Sequence, residues 1–330
     1  MGKGQYLLKR LLYIVFVFFI ISVLMFVIYK MMPGDPVEMM LGDSKTSMKP
    51  EAYQALYNQT AEMLNLDKPL PVQYVTWMGN MLTGNFGYSI QYKKPVSQII
   101  AAPMKNTVML NMLTMVVVFS IAIPLGIVTA VRKNGIFDKS VQVLTIVGYS
   151  IPSFIISLLM IFVFAVKIPI FPISGVKTAG LNATGIQAAL DVAWHMALPV
   201  LVMSVSGIGG ITRYVRAAMI DVLRMDYIKT ARAKGLREKV VIYVHAFRNA
   251  LIPIVTITTW WIIGLFGGSV VIESVFLWPG LGKMLIDGLM QRDFSLVLTI
   301  QMFYVILSLV GNVLMDIAYT LVDPRVRLEN

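Results

Sequence analysis

The chain has 330 residues, of which 57% are hydrophobic and only 14% are charged. Because soluble domains carry roughly 25% charged residues and rarely expose large apolar patches, this composition excludes an ordinary soluble protein and predicts a membrane protein. The chain has no cysteine and two histidines, which excludes disulfides and thiolate sites and argues against a metal centre.

Six apolar segments are long enough to cross a membrane, since a helical span needs about 20 apolar residues. Apolar residues run continuously through each segment instead of alternating, which excludes a β-barrel. The predicted fold class is therefore all-α, a polytopic membrane protein with six transmembrane helices. The predicted spans are 11–28, 107–131, 141–166, 192–212, 251–272 and 296–321.

The first apolar segment follows Lys3, Lys9 and Arg10, an arrangement that is also typical of a secretory signal peptide. The segment exceeds the roughly 7–15 residues of a signal core, and no small-x-small cleavage site follows it. We therefore interpret residues 1–32 as a retained N-terminal transmembrane helix.

Basic residues near the ends of spans indicate orientation, because they are enriched on the cytoplasmic side. With the amino terminus inside, the inner segments hold 17 of the 28 lysines and arginines. Both termini are therefore predicted to be cytoplasmic, with 323–330 as a short tail, in the cell (plasma or inner) membrane. The net charge of +11 is mostly this topological bias, so membrane lipid is the implied partner and nucleic acid is not.

Residues 33–106 form a predicted extracytoplasmic segment that is too long for a bare loop. Residues 50–64 have a helical pattern, and 73–77 suit a short interfacial helix with its aromatic side chains at the headgroup level. Two interpretations stay open: a cap that packs over the helix bundle, or a docking surface for an external partner. Both can be true.

The other five spans form a predicted core over residues 107–322, and its inner segment 213–250 is unusual. That segment holds nine basic and three acidic residues. A helical pattern runs from Arg213 to Ala233, and Gly235 then follows as it does at helix carboxyl ends. A second helix is predicted over residues 238–249, with an apolar side made by Val240, Val241, Val244 and Phe247.

This helix, glycine break and second helix would make a rigid knob at the membrane surface. One interpretation is an amphipathic pair that lies on anionic headgroups. The other is a plug that enters a groove on a cytoplasmic protein.

Several stretches resemble ABC importer permeases, and most closely the dipeptide, oligopeptide and nickel permease group. The strongest is DYIKTARAKGL at 226–236, followed by HAFRNALIP at 245–253. Others follow in the right order along nearly the whole chain: PGDP at 33–36, LNLDKP at 64–69, GNFG at 84–87, ESVF at 273–276, PGLG at 279–282 and DPRVR at 323–327.

The resemblance implies that the inner loop docks on ATPase subunits as a coupling helix. The general family motif is Glu-Ala-Ala, three residues, then Gly. Here Lys229 and Thr230 occupy the Glu position and the first Ala position, so the docking role is carried over without a glutamate's contacts. The loop residues implied are Asp226, Tyr227, Thr230, Ala231, Arg232, Ala233, Gly235 and Leu236.

The resemblance also implies the type I fold of ABC importer permeases and a B-type subunit that forms half of a peptide pathway. The implied partners are a second homologous permease subunit, two cytoplasmic ATPase subunits and an extracytoplasmic substrate-binding protein. The chain itself would be non-catalytic and bind no cofactor, with ATP and Mg²⁺ held by the ATPase subunits. Nickel, glutathione or another small solute stays open as the cargo.

A stand-alone secondary transporter is the rival class. Such proteins usually carry internal repeats and midplane charges, and neither is evident in this sequence. The chain also lacks a phosphate-binding loop of its own, since Gly282-Lys283 is followed by Met284 and the leading position is Leu277.

Two acidic residues, Asp316 within the last predicted span and Glu273 at the outer end of the fifth, are candidates for a pathway or helix-pairing role, because ionisable groups in membranes are costly. His195 and His245 are predicted on opposite sides of the membrane, so structural roles are favoured. The glycine clusters at 207–210 and 264–268 indicate close helix packing, with hinge motion as the alternative.

Overall fold

A computed structural model describes residues 3–31, 33–42 and 44–322, with side chains described for 8–31, 33–42, 45–251 and 253–315. The predicted tail at 323–330 lies outside the described residues. The chain divides into two compact units. One contains the described part of residues 1–103 together with Met284–Leu309, and the other contains Met104–Lys283 and the described residues from Val310 onward.

The first unit holds the first long helix and a group of short elements. Its only strands among the described residues form a two-residue antiparallel hairpin that pairs Tyr88 with Pro95 and Ser89 with Lys94. The elements are α1 (Lys3–Met31), α2 (Pro36–Leu41), α3 (Ser44–Ser47), α4 (Pro50–Met63), α5 (Leu70–Leu82), β1 (Tyr88–Ser89), β2 (Lys94–Pro95) and α6 (Val96–Ile99).

The Asp-Pro pair after the first span starts α2. Asp35 is the N-cap, and its Oδ1 accepts hydrogen bonds from the backbone N–H groups of Val37 and Glu38 at 2.8 and 3.4 Å. Pro36 occupies the first helical position, where a missing N–H costs nothing. Tyr57 in α4 donates to Asp35 Oδ2 at 2.5 Å, so this cap also ties α2 to α4.

A second cap lies at Asp293, which is fully buried. Its carboxylate accepts hydrogen bonds from the Ser89 hydroxyl, from Gln91 N at 3.1 Å and from Leu296 N at 3.3 Å. The carboxylate thus satisfies an orphan N–H in the first turn of the last helix and holds the strand turn against it.

The second unit contains the remaining helices. Two of them continue as π-helical turns, at Phe162–Lys167 after α9 and at Val241–Ala246 after α12. The elements are α7 (Ala101–Val131), α8 (Ile136–Ser150), α9 (Ser153–Ile161), α10 (Gly185–Leu223), α11 (Asp226–Ala233), α12 (Glu238–Val240), α13 (Phe247–Gly264), α14 (Val270–Val275), α15 (Leu281–Met290) and α16 (Phe294–Val322), of which α7, α15 and α16 have residues in both units.

Four described helices are long and apolar enough to cross a membrane: Leu8–Met31, Val96–Val131, Gly185–Leu223 and Phe294–Met315. Two bent pairs also qualify, Ile136–Ser150 with Ser153–Lys167 and Glu238–Leu251 with Pro253–Gly264. The total is six when each bent pair counts as one span, in agreement with the predicted all-α membrane fold. The orientation of the termini stays a prediction.

The third predicted span differs from a single helix. Its two halves meet at 95°. The cause is Pro152, because a proline forces the preceding residue out of the helical region, and Ile151 accordingly has ψ 127°. Pro124 and Pro199, by contrast, lie inside continuous helices.

The predicted extent of the fifth span, 251–272, was wrong at its carboxyl end. The helix stops at Gly264, within the glycine cluster, and a separate short helix begins at Val270. Glycine weakens a helix because it has more backbone freedom to lose than any other residue. Glu273 therefore lies on α14 and not at the end of a span.

Candidate functional site

Of the predicted helix, glycine break and second helix, residues 226–236 carry the docking residues, and the word knob refers to this segment from here on. It begins directly after α10. The predicted continuous helix from Arg213 to Ala233 was wrong here, since α10 ends at Leu223 and Met225 is extended (φ −69°, ψ 149°). Asp226 then starts α11, where a carboxylate suits the positive end of the helix dipole. The turn aims α11 back toward the core of the second unit.

The glycine break predicted after α11 is confirmed. Gly235 has φ +76°, in the left-handed region that glycine adopts without a side-chain penalty. Its N–H donates to Arg232 O at 2.9 Å, and the N–H of Leu236 donates to Ala231 O at 3.4 Å. These two bonds form a Schellman motif that satisfies the last carbonyls of α11.

The knob has one buried side. Ile228 is fully buried and Ala231 is 8% exposed, and both belong to a hydrophobic cluster with residues of α7, α10, the π-helical turn and α13. A close-packed cluster of this kind transmits displacement between its members. A force on the knob therefore reaches three long helices through direct packing.

The other side of the knob faces outward. Tyr227 is 46% and Leu236 is 41% exposed, so two large side chains remain uncovered in the single chain. Of the eight residues implied for docking, only Ala231 is buried. The exposed ones are Asp226, Tyr227, Thr230, Arg232, Ala233, Gly235 and Leu236.

Local ion pairs order the knob surface. Lys229 Nζ donates to Asp226 Oδ1 at 2.8 Å, and this hydrogen bond lowers the pKa of the Asp226 carboxyl. Arg232 binds Glu238 through both Nε and Nη2, at 3.2 and 2.6 Å. Exposed pairs stabilise little, so these contacts mainly fix the directions of the basic side chains.

A deeper ion pair lies before the knob, and sequence reasoning missed it. Arg216 of α10 donates from Nε to Asp138 Oδ1 at 2.7 Å and from Nη2 to Oδ2 at 2.6 Å. The Asp138 side chain is only 3% exposed, and it also accepts from Asn134 N at 2.8 Å. This bidentate pair ties α10 to the start of α8. An acidic residue in the first helical turn, three residues after Gly135, was the signal available.

A cavity of about 680 Å³ lies in the second unit between α7, α10 and α13. Its volume is within the range of small-ligand sites. None of the described residues that line it is charged. The lining residues are Asn111, Thr114, Met203, Ser206, Gly207, Gly210, Ile211, Ile257, Trp260, Trp261, Gly264 and Leu265.

Asn111 holds one edge of this cavity. Its Nδ2 donates to the carbonyls of Leu265 and Gly267, both at 2.9 Å. Leu265 is the C-cap of α13, where carbonyls have no partner inside the helix, and Gly267 lies two residues further on. The amide thus fixes the end of α13 to α7.

The two acidic candidates have different outcomes. Glu273 is 1% exposed; its Oε1 accepts from Thr107 Oγ1 at 2.8 Å and its Oε2 accepts from Lys283 N at 2.9 Å. Burial raises the pKa of the Glu273 carboxyl, against the opposing effect of these hydrogen bonds. Asp316 lies in α16, with its side chain outside the described residues.

Comparison with known proteins gives two family matches. Residues 122–328 match the model described as "Binding-protein-dependent transport system inner membrane component". Residues 4–111 match the model of its amino-terminal part, "Binding-prot-dependent transport system membrane comp, N-term". Together the two matches cover nearly the whole chain.

Individual relatives match over the full length. The chain is 39% identical over 324 residues to the "Oligopeptide transport system permease protein AppB" of Bacillus subtilis (strain 168), covering 98% of this chain and 99% of that protein. It is 33% identical over 339 residues to the "Di/tripeptide transport system permease protein DppB" of Pseudomonas aeruginosa (strain UCBPP-PA14), covering 98% of each.

Among solved structures, the MetNI methionine ABC transporter in inward-facing conformations has 19% sequence identity and a TM-score of 0.48, covering 66% of this chain and 95% of that chain. The assignment depends instead on the family models and the full-length relatives. The family models and full-length relatives agree with the apolar helices, and the chain belongs to the family of inner membrane components of binding-protein-dependent transport systems.

Proposed function

We propose that this chain is a membrane-spanning permease subunit of an ATP-driven importer of peptides. The observation that carries the proposal is the full-length similarity, at 39% and 33% identity, to proteins named as oligopeptide and di/tripeptide permeases. The chain forms half of the pathway and pairs with a second homologous subunit. It is not itself catalytic.

The knob is the proposed dock for two cytoplasmic ATPase subunits, which bind ATP and Mg²⁺. The exposed Tyr227 suits a protein groove, since Tyr, Trp and Arg are enriched among the residues that dominate interface energetics, and the exposed Leu236 adds apolar surface beside it. Ile228 and Ala231 carry the motion inward through the cluster they share with α7, α10 and α13. The Asp138–Arg216 pair extends the same motion to α8.

The uncharged cavity between α7, α10 and α13 is the proposed pathway wall of this subunit. Movement of the knob shifts the helices that form it, so the cavity changes shape when the ATPase subunits close. An extracytoplasmic binding protein delivers the peptide. Residues 33–106 remain the proposed extracytoplasmic segment, and whether it caps the bundle or contacts the binding protein is open to experiment.

The test uses the complete transporter in proteoliposomes, with ATP-dependent uptake of a labelled tripeptide and ATP hydrolysis measured together. In the wild type, unlabelled peptides should compete for uptake and Ni²⁺ or glutathione should not. ATP-dependent uptake of labelled Ni²⁺ or labelled glutathione, with no ATP-dependent uptake of the tripeptide, would overturn peptide import.

A Gly235→Val variant tests the dock in the same assay. A β-branched residue at φ +76° is strained by about 1–2 kcal/mol, and the strain reshapes the knob. Uptake should fall more than ATP hydrolysis. The matched control is Gly180→Val, at φ +78° in equally open space. Equal behaviour of both variants would argue against docking through the knob.

A further inference from the structure

Three glycines stand close together on α10, and packing explains two of them. A Cβ at position 207 would lie 2.8 Å from Val118 Cγ2 and 2.9 Å from the Trp261 ring. A Cβ at position 209 would lie 3.0 Å from the carbonyl oxygen of Thr145. Close helix approach therefore requires glycine at 207 and favours it at 209.

Gly210 has no such explanation. It lies inside α10, outside the left-handed region, and a Cβ built there would meet nothing within 4 Å. Glycine inside a helix is less stable than alanine. Neither backbone geometry nor packing within the chain accounts for it, yet Gly210 lines the cavity, where any side chain would project into the open space.

The rest of the cavity wall indicates what that space accepts. Trp260 lines it with 46% of its surface exposed, while Trp261 is held edge-to-face against Phe119 at 5.6 Å. An aromatic wall without charge suits apolar and aromatic groups. The described lining offers no ion that would select an acidic or a basic group.

We infer that this cavity receives a side chain of the translocating peptide, and that Gly210 sets how large that side chain can be. The inference rests on the proposed peptide import. Gly210 leaves volume for a bulky or aromatic side chain beside Trp260. The open space at Gly210 lets the pathway accept peptide side chains of different sizes, and the uncharged wall does not select among them by charge.

The experiment compares uptake of trialanine and triphenylalanine by the complete transporter in proteoliposomes, with the variants Gly210→Ala and Gly210→Leu. Filling the space should lower triphenylalanine uptake relative to trialanine in a graded way, by roughly tenfold or more for leucine. Gly79→Leu is the matched control, because Gly79 is also a helical glycine with nothing within 4 Å and lies outside the cavity. It should leave the ratio unchanged.

Other outcomes separate the two claims. If wild-type transporter moves neither peptide, the proposed function fails and this inference fails with it. If both peptides are transported and the Gly210 variants keep the wild-type ratio, or lose both peptides equally, the size role is overturned. If Gly210→Leu prevents copurification of the second permease subunit while Gly210→Ala keeps the wild-type ratio, Gly210 is a subunit contact and the inference is wrong.

Discussion

Glu273 shows how a single buried carboxyl organises its surroundings. It joins α14 to α7 through Thr107 and to the start of α15 through the backbone of Lys283. Gly280 gives it room, since a Cβ there would lie 2.5 Å from the carboxyl group. Both oxygens of the Glu273 carboxylate accept hydrogen bonds from neighbouring helices, which favours the helix-pairing role over the pathway role. The assignment stays a prediction.

The raised pKa of Glu273 predicts a pH dependence of stability. Because the folded-state pKa lies above the ordinary value of 4.5, the folded protein prefers the protonated carboxyl. The free energy of unfolding that this preference contributes is fully present below pH 4.5. It is lost as the pH rises through the raised pKa, by about 1.4 kcal/mol for each unit by which the pKa is raised. Thermal unfolding in detergent over a pH series measures it.

Glu273→Gln is the control, because it cannot titrate. The difference between wild-type and variant unfolding midpoints should change from pH 4.5 upward, with the wild type losing stability, and should then level off. If the unfolding midpoints of the wild type and the variant changed in parallel with pH through that range, the raised pKa of Glu273 would be contradicted.

At the scale of elements, α11 places a buried side chain and an exposed one, the proposed docking residue, next to each other in sequence. Ile228→Ala removes a fully buried side chain and should cost about 2–5 kcal/mol of stability. Tyr227→Ala removes an exposed one and should change stability by no more than about 0.5 kcal/mol. In the assembled transporter, however, Tyr227→Ala should weaken ATPase binding by about 2 kcal/mol, as central interface aromatics do.

Thermal unfolding of the single chain and copurification with the ATPase subunits distinguish the two effects. A Tyr227→Ala variant that keeps normal copurification, or that unfolds as readily as Ile228→Ala, would show that α11 is not arranged in this way.

Sequence patterns predicted one part of the segment 213–250 correctly and another part wrongly. The helix end at Gly235 was predictable because a glycine that follows a cation, here Lys234, is typical of a helix carboxyl end. The apolar side predicted for the second helix was Val240, Val241, Val244 and Phe247, and that was wrong for two of them: Val240 and Val244 are exposed, while Ile242 and Ala246 are buried. The π-helical turn at Val241–Ala246 hydrogen-bonds one residue further along, which shifts the buried face.

At the scale of the whole molecule, hydropathy predicted the helices well because a bilayer leaves the backbone few alternatives. It could not predict the cavity. Asn111, Gly210 and Trp260 lie far apart in sequence and meet only because three helices cross. The glycine cluster at 207–210 indicated close packing, with hinge motion as the alternative, and only the neighbours of each glycine show that position 210 faces open space.

The absence of cysteine from the chain allows the central claim to be measured with one introduced thiol. The account predicts that Thr230→Cys, a small change at an exposed docking position that keeps Tyr227, reacts with a membrane-impermeant maleimide in inside-out vesicles that lack the ATPase subunits. It predicts strong protection once those subunits are bound, and no reaction in right-side-out vesicles. Labelling from the outer side, or labelling that bound ATPase subunits leave unchanged, would contradict it.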